Sequence, residues 1–465
     1  MMRLLSGVLV LAVVCGSCFG LEDCCSGVLK REKTPAFPGA EGFGARTRGG
    51  RGGKVMFVTN LKDYVPGQKP IPGSFRAACS AKGPRYVIFR VSGTISLKKW
   101  FSLDEPYITI AGQTAPGDGI CLRNAHFDIR THDVIIRHMR FRPGDDLPPE
   151  RLKKLSKVRV LEYDAIRILN HRTNKHAARN IIIDHCSLSW SVDETISPGG
   201  DHVTVQWCII SEPLHASFHS QGPHGFGWNG LGATCSAHHN LLAHIYNRSP
   251  NIGAGDWRNN VVYNSRMGGY NKGPCKFNMV NNYYKPGPCG SSRKFRKTCF
   301  TAFHADSRIY IKGNYMEGAG DDRNRPQGQW KLIRGVGNNP TADKPYPTGG
   351  PITTHSVREA YAKVLKHAGA TRPKRDAVDL RIVNDVKNNT GNPWLKSVKT
   401  VGGYPELKST PAPKDTDNDG MPDEWEKKFT LNPNDPSDNN MDKDNDGYTN
   451  IEEWFNGSDP ARQAE

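Results

Sequence analysis

The stretch NIIIDHCSLSWSVDE, Asn180–Glu194, places Asp184, Asp193 and Glu194 against a strand-like run of three isoleucines. Another acid, Asp164, stands 20 residues before Asp184 in YDAIRIL. Acids gathered beside an apolar run repel one another, and burial raises the cost of their charge. A cation removes both penalties, and carboxylate oxygens are the ligands calcium prefers. Four acids on neighbouring chain segments therefore point to a held metal.

A second set of acids is spaced more tightly. DTDNDGMPDEWE and DKDNDGYTNIEE each supply oxygens at positions 1, 3, 5, 7, 9 and 12 of a calcium loop. The first offers Asp415, Asp417, Asp419, the Met421 carbonyl, Asp423 and Glu426, with Gly420 at the sharp turn. The second offers Asp442, Asp444, Asp446, the Tyr448 carbonyl, Asn450 and Glu453, with Gly447 at the turn. A solvated acidic run is the plain alternative, but two complete matches 27 residues apart argue against it. The helix preceding a paired sensor loop is missing before the first, where prolines stand. DEWEKKF and NIEEWF supply the helices that follow. A structural clasp fits this better than a switch, with dockerin-like partner binding the lesser reading.

The elements positioning the first set of acids are strands. Short apolar runs recur from Val134, Ile181, Val203, Cys235, Trp257, Phe277 and Ile309. Aligned on His185, Trp207, His239, Asn260, Asn282 and Asn314, they step by 22, 32, 21, 22 and 32 residues. A strand repeat near 22 residues without intervening helices predicts a solenoid, whose coils share one core. The longer steps are loops inserted on a coil. Stacked asparagines at coil bends account for Asn259, Asn260, Asn281, Asn282 and Asn314. A β-sandwich competes, but its hairpin turns are scarce here. Past about Arg358 the repeat fades, and VREAYAKVLKHAGA (Val357–Ala370) predicts an amphipathic helix closing on Gly369.

The chain has 465 residues and a formal charge of +17. From Lys414 onward it carries 15 acidic and 5 basic residues, a net of −10, which leaves +27 on the preceding 413. A basic body suits a polyanionic partner by long-range attraction, with solubility alone as the plain alternative. Met1–Gly20 reads as a secretory signal too short to span a bilayer. The domain plan is a signal at 1–20, a β-helix body at 34–407, a Pro-rich linker at 408–414 and paired EF-hand-like loops at 415–457. The linker is too stiff and polar to join a core. Ten of twelve cysteines follow the signal, so disulfides are permitted, while Cys186, Cys208 and Cys235 fit plain core positions. TRGGRGG, Thr47–Gly53, is one copy behind a secretion signal and does not make a nucleic-acid binder.

AEGFGARTRGGRGGKVMFVTNL, YITIAGQTAPGDGICL, DAIRI, IIIDHCSLSWSVDE, SAHHNLLAHIYNRSP and NMVNNYY, in that order over roughly 34–315, resemble a secreted pectate lyase. The resemblance implies an all-β fold, a right-handed parallel β-helix. It also implies a monomeric enzyme that cleaves acidic plant-type polysaccharide, polygalacturonate, by calcium-dependent β-elimination to 4,5-unsaturated products. Asp164 matches the family's first calcium carboxylate, Asp193 and Glu194 its second calcium segment, and Arg248 the arginine that acts as base. Asp184 and His185 match a supporting pair. The chain departs at Gln221, where relatives carry a substrate-binding lysine, and at Gly253. His219, His224 and Arg258 are candidates to compensate. The alternative is a catalytically weak β-helix that binds acidic polysaccharide.

Overall fold

Ile181, Ile182 and Ile183 are β-branched and uninterrupted by glycine or proline, and they form the middle of the strand Arg179–Asp184. Such residues fill a pleated surface packed on both faces. Ile181 faces Val134 on one side and Val203 on the other, Ile183 faces Ile136 and Val205, and both pairings are parallel. These side chains point into one continuous core, whereas Ile182 points outward beneath Ala36 and Phe37.

The computed structural model describes residues 34–147, 163–169, 178–219, 221–230, 232–288, 297–335 and 341–463. Its strands form sheets of ten, nine, five and three strands. One coil runs Arg179–Asp184, Ser187–Ser189, Glu194–Pro198, passing through the ten-, nine- and five-stranded sheets in turn. The next begins at Asp201–Gln206, back in the ten-stranded sheet. This is the right-handed parallel β-helix, and all seven apolar runs lie in its ten-stranded sheet. Registers between described strands are parallel throughout, so the β-sandwich is excluded.

The sequence alignment of coils needs one correction. His138, His185, Trp207, His239, Asn259 and Asn281 all hold φ between 49° and 56° where the chain leaves the ten-stranded sheet. The column therefore continues to Asn259 and Asn281, not to Asn260 and Asn282. Residues other than glycine rarely enter this left-handed region, so its recurrence marks the coil's corner. Asn260 and Asn282 belong to the neighbouring column. There Asn240 N–H donates to Asn260 Oδ1 (3.0 Å), Asn260 N–H to Asn282 Oδ1 (2.9 Å) and Asn282 N–H to Asn314 Oδ1 (3.0 Å). Asn259 and Asn281 instead donate to the carbonyl of His355, tying down the returning chain. That return includes the predicted helix, Val357–His367, and a second, Ala377–Asn388. Val364, Leu365, Ile382, Val383 and Val386 cover Ile209, Leu241, Val261 and Tyr283 of the nine-stranded sheet.

The tail does not stand apart, as the linker's polarity led us to expect. Ser409 bridges Gly117, Lys408 O accepts from Asp118 N–H, and the Ser409 hydroxyl accepts from Ser92 N–H. Backbone bonds pin this polar segment without any apolar burial of its own. Beyond it, Met421, Ile451 and Phe455 pack on Tyr86, Ile88 and Ala111 of the first coils. Arg51 donates through Nε to both carboxylate oxygens of Glu452, at 3.0 and 2.9 Å, with both residues buried.

Cys79, Cys121, Cys186, Cys208, Cys235, Cys275 and Cys299 are buried and free. Cys186, Cys208 and Cys235 are core residues, as their strand positions indicate. The signal, Cys24, Cys25 and Cys289 lie outside the described residues. Among described residues no helix is long and apolar enough to cross a membrane.

Candidate active site and calcium loops

Asp164 lies two residues before Ile166, and Glu194 two before Ile196; Ile166 and Ile196 are register partners in the five-stranded sheet. Continuing that register sets Asp164 beside Glu194 on the adjacent coil. Glu194 in turn pairs with Phe226, and Phe226 bridges Asn247, the residue before Arg248. One row along the helix axis thus carries the acids and the arginine.

Asp164, Asp193 and Glu194 bring carboxylate oxygens within 4.8 Å of one another, and all three side chains are buried. Burial, then the charge of Asp193, pushes the Asp164 carboxyl well above its usual range, although Ser197 Oγ donates to it at 2.6 Å. Close acids that resist ionisation together are a good fit to a calcium ion, whose charge would offset theirs. Arg248 forms an ion pair with Glu194, and its guanidinium lies 4.2 Å over the Phe226 ring. Its backbone holds φ 62°, and its N–H donates to Asn247 Oδ1 at 2.8 Å.

His219 and His224 stack 3.8 Å apart, His224 packs on Phe226, and His219 Nε2 lies 3.6 Å from Asp193 Oδ2. They form a wall of the same site. Gln221 sits at the exposed tip of their loop, its N–H donating to His219 Nδ1. Arg258 is not brought there. It ends a strand of the ten-stranded sheet, donating to Asp256 at 3.0 and 2.8 Å and to Thr354. It lies in a different sheet from the acid trio, which belongs to the row of the five-stranded sheet. Asp184 likewise leaves the acid group, at the far end of its strand. It accepts from Arg137 (2.8 Å) and Gln206 (2.8 Å) and lies 2.8 Å from His185 Nδ1. Its carboxyl is held far below the usual range against burial by His185 and Arg137.

Residues the sequence did not single out complete the surface. Arg167 donates to Asp128 at 2.8 and 3.0 Å, and Arg130 to the same carboxylate at 3.2 Å, placing two partly exposed cations along the five-stranded sheet. Arg167 stands inside YDAIRIL, but nothing in that motif shows which way it points. Phe226 was hidden because an inserted loop breaks the repeat before it.

In the tail, Gly420 and Gly447 turn with φ 102° and 104°, where the two loops require it. The expected helices follow as Asp423–Lys428 and Asn450–Asn456. Asp415, Asp417 and Asp419 converge within 4.8 Å. Buried oxygens of Asp444, Asn450 and Glu453 in the second loop have no hydrogen-bond partner, and both Glu453 oxygens are among them. Asp442 and Asp446 brace that loop by accepting from Gly447 and Tyr448 N–H. Asp423 departs from its expected place. It accepts from Thr416 N–H and hydroxyl and from Lys414 Nζ, because it opens its helix with its carboxylate turned back to the loop's entry.

The fold and site together define a parallel β-helix carrying three clustered acids beside an arginine. No family model matches the chain. "Probable pectate lyase C" of Aspergillus fumigatus is 34% identical over 439 residues, covering 92% of this chain and 94% of its own. The same-named protein of Emericella nidulans is 32% identical, with the same coverage. "Pectate lyase 1" of Ambrosia artemisiifolia is 31% identical over 37% of this chain and 42% of its own. A solved pectate lyase pairs at 14% identity and a TM-score of 0.48, over 73% of this chain and 98% of its own. The chain belongs to the pectate lyase family.

Proposed function

We propose that this chain is a secreted lyase that cleaves polygalacturonate by β-elimination, with calcium at Asp164, Asp193 and Glu194 and Arg248 as base. The observation that carries the reading is the convergence of three buried carboxylates with the Arg248 guanidinium on one edge. Calcium, when bound, would neutralise the substrate carboxylate and make the neighbouring C5 proton more acidic. Arg130 and Arg167 line the same sheet and suit the carboxylates of further sugar units. Phe226 and the His219–His224 stack exclude water from one side of Arg248.

Arg248, as the neutral guanidine, takes the C5 proton, the C5–H electrons form the C4–C5 double bond, and the C4–O bond breaks with its electron pair leaving on the next sugar's oxygen, which takes a proton from water. A guanidinium has no lone pair, so Arg248 must first lose a proton to solvent, which release from Glu194 and an alkaline medium favour. The tail loops are read as two structural calcium sites, fitted by their unpartnered buried carboxylate oxygens. The test is incubation with polygalacturonate, with and without calcium, followed at the ultraviolet absorbance of unsaturated products. Calcium-dependent absorbance is expected. Tight binding without product would leave an acidic-polysaccharide binder instead.

A further inference from the structure

Asp438, twelve residues beyond Glu426, turns a carboxylate into the first tail loop. It comes from a short 3₁₀ turn, Asp438–Asn440, outside the loop's twelve positions. Asp419, Glu426 and Asp438 bring ligand oxygens within 4.8 Å, and all three are buried. Resting on the reading of the tail as calcium loops, we infer that Asp438, and not Asp423, closes the first calcium site.

The hydrogen-bond pattern sorts the oxygens. Asp415 Oδ2 accepts from Gly420 N–H (3.0 Å), Asp417 Oδ1 from Asp419 N–H (3.2 Å), and Asp419 Oδ1 from Met421 N–H (2.7 Å). Asp438 Oδ2 accepts from Asn432 N–H at 3.0 Å. Each of these four carboxylates spends one oxygen bracing the backbone and leaves the other buried with no partner: Asp415 Oδ1, Asp417 Oδ2, Asp419 Oδ2 and Asp438 Oδ1. Glu426, fully buried, leaves both oxygens without a partner. These make six oxygens, and calcium takes about six to eight. Six orphaned buried carboxylate oxygens are costly for the fold once charged and without a cation. Asp423 has no such oxygen, since Thr416 and Lys414 engage both.

The turn carrying Asp438 is fixed to both loops. Asn439 Nδ2 donates to Asp419 O at 2.7 Å, and Asn450 Nδ2 of the second loop donates to Asp438 O at 2.8 Å. Asp438 is thus held in place by the first loop's own backbone and by the start of the second loop's helix.

The experiment is calcium titration of the full chain by calorimetry, with changes counted against the unsubstituted protein. Asp438→Asn keeps an acceptor for Asn432 N–H but loses the charge, and should remove one equivalent or weaken it at least about tenfold, since ligand charge sets such affinities. Asp438→Ser, shorter and neutral, guards against a folding artefact and should behave alike, with circular dichroism unchanged. Asp423→Asn should leave the titration unaltered. Loss of an equivalent with Asp423→Asn but not with Asp438→Asn would overturn the assignment. Glu426→Gln tests the underlying loop: if it too removes nothing, both the assignment and the calcium-loop reading fall. If it removes an equivalent while both Asp438 variants remove none, only the assignment falls.

Discussion

Arg248 reaches across the Phe226 ring to pair with Glu194, two coils away with the coil of Phe226 between them. The guanidinium is thereby held at the rim of the acid trio, where a bound sugar's C5 can meet it. If the proposed roles hold, that pairing is also a lock, because the calcium ligand and the base would share a carboxylate.

Arg248→Ala should lower turnover at least about 10²-fold, the lower end for loss of a general base. Arg248→Lys keeps charge but not reach or planarity, and should rescue little. Binding of oligogalacturonate should weaken far less than turnover, because Arg130 and Arg167 remain. A folded Arg248→Ala enzyme with near-normal turnover would move the base to His219 or His224.

Asp193→Asn should raise the calcium concentration needed for half-maximal activity while leaving thermal stability close to unchanged, because asparagine keeps the side chain's size and removes a charge that Asp164 and Glu194 repel. An unchanged calcium requirement would leave Asp164 and Glu194 as the only acids of the trio holding the ion.

Glu452→Gln leaves the buried Arg51 guanidinium without its counter-charge. Removing one partner of a buried pair costs about 3–5 kcal/mol, so the melting temperature should fall by several degrees. Activity at low temperature should persist, since Arg51 lies far along the chain from Arg248. A melting curve unmoved by the substitution would show that the tail's contact contributes nothing to stability.

Calcium removal should destabilise the protein, and more so at alkaline pH. Burial first, then neighbouring acids, raises Glu426 and Glu453 to about 8. Burial likewise raises Asp419 to about 7, with the neighbouring Asp417, Asp415 and Asp438 adding to it. Carboxyls raised in the folded state bind protons the unfolded chain has lost, so their contribution is full below the ordinary carboxylate range and lost as pH rises through those values. Melting in chelator should therefore drop between pH 6 and pH 8.5, and added calcium should narrow the gap.

His238 and His239 act in the opposite direction. Burial, then Arg258, lowers His238 to about 3; burial, then His238 and His355, lowers His239 to about 2. Folded-state values below the unfolded ones mean stability present above about 6.5 and lost as pH falls toward them. His238→Asn should flatten the decline in melting temperature between pH 7 and pH 4.5; an unaltered slope would place acid sensitivity elsewhere.

The coil repeat and the Val357–His367 helix were legible because strands packed on both faces demand uninterrupted apolar runs, and insertions leave the core register intact; the acids were read as four, and Asp184 turned out to serve Arg137 and Gln206 instead. The one-residue slip from Asn259 to Asn260 was not legible. Both are asparagines, one cornering the chain and one stacking inside, and the residue type alone cannot tell these apart. Arg258 was misplaced because its partner, Asp256, lies two residues away on the same strand and claims it locally. Asp438 was missed because loop spacing describes ligands contiguous in the chain, and this one arrives from a separate turn. The tail's attachment was missed because Tyr86 and Ile88 read as ordinary strand residues, without a sign that their outward faces need covering.

That covering has a consequence for how the molecule is made. The first coils acquire their outer layer from Met421, Ile451 and Phe455, and Arg51 finds its carboxylate 401 positions downstream. A chain synthesised from its N-terminus therefore carries those coils with a bare apolar flank until Phe455 has emerged. The β-helix must persist without that cover until then, and its uncovered flank is most open to aggregation in that interval.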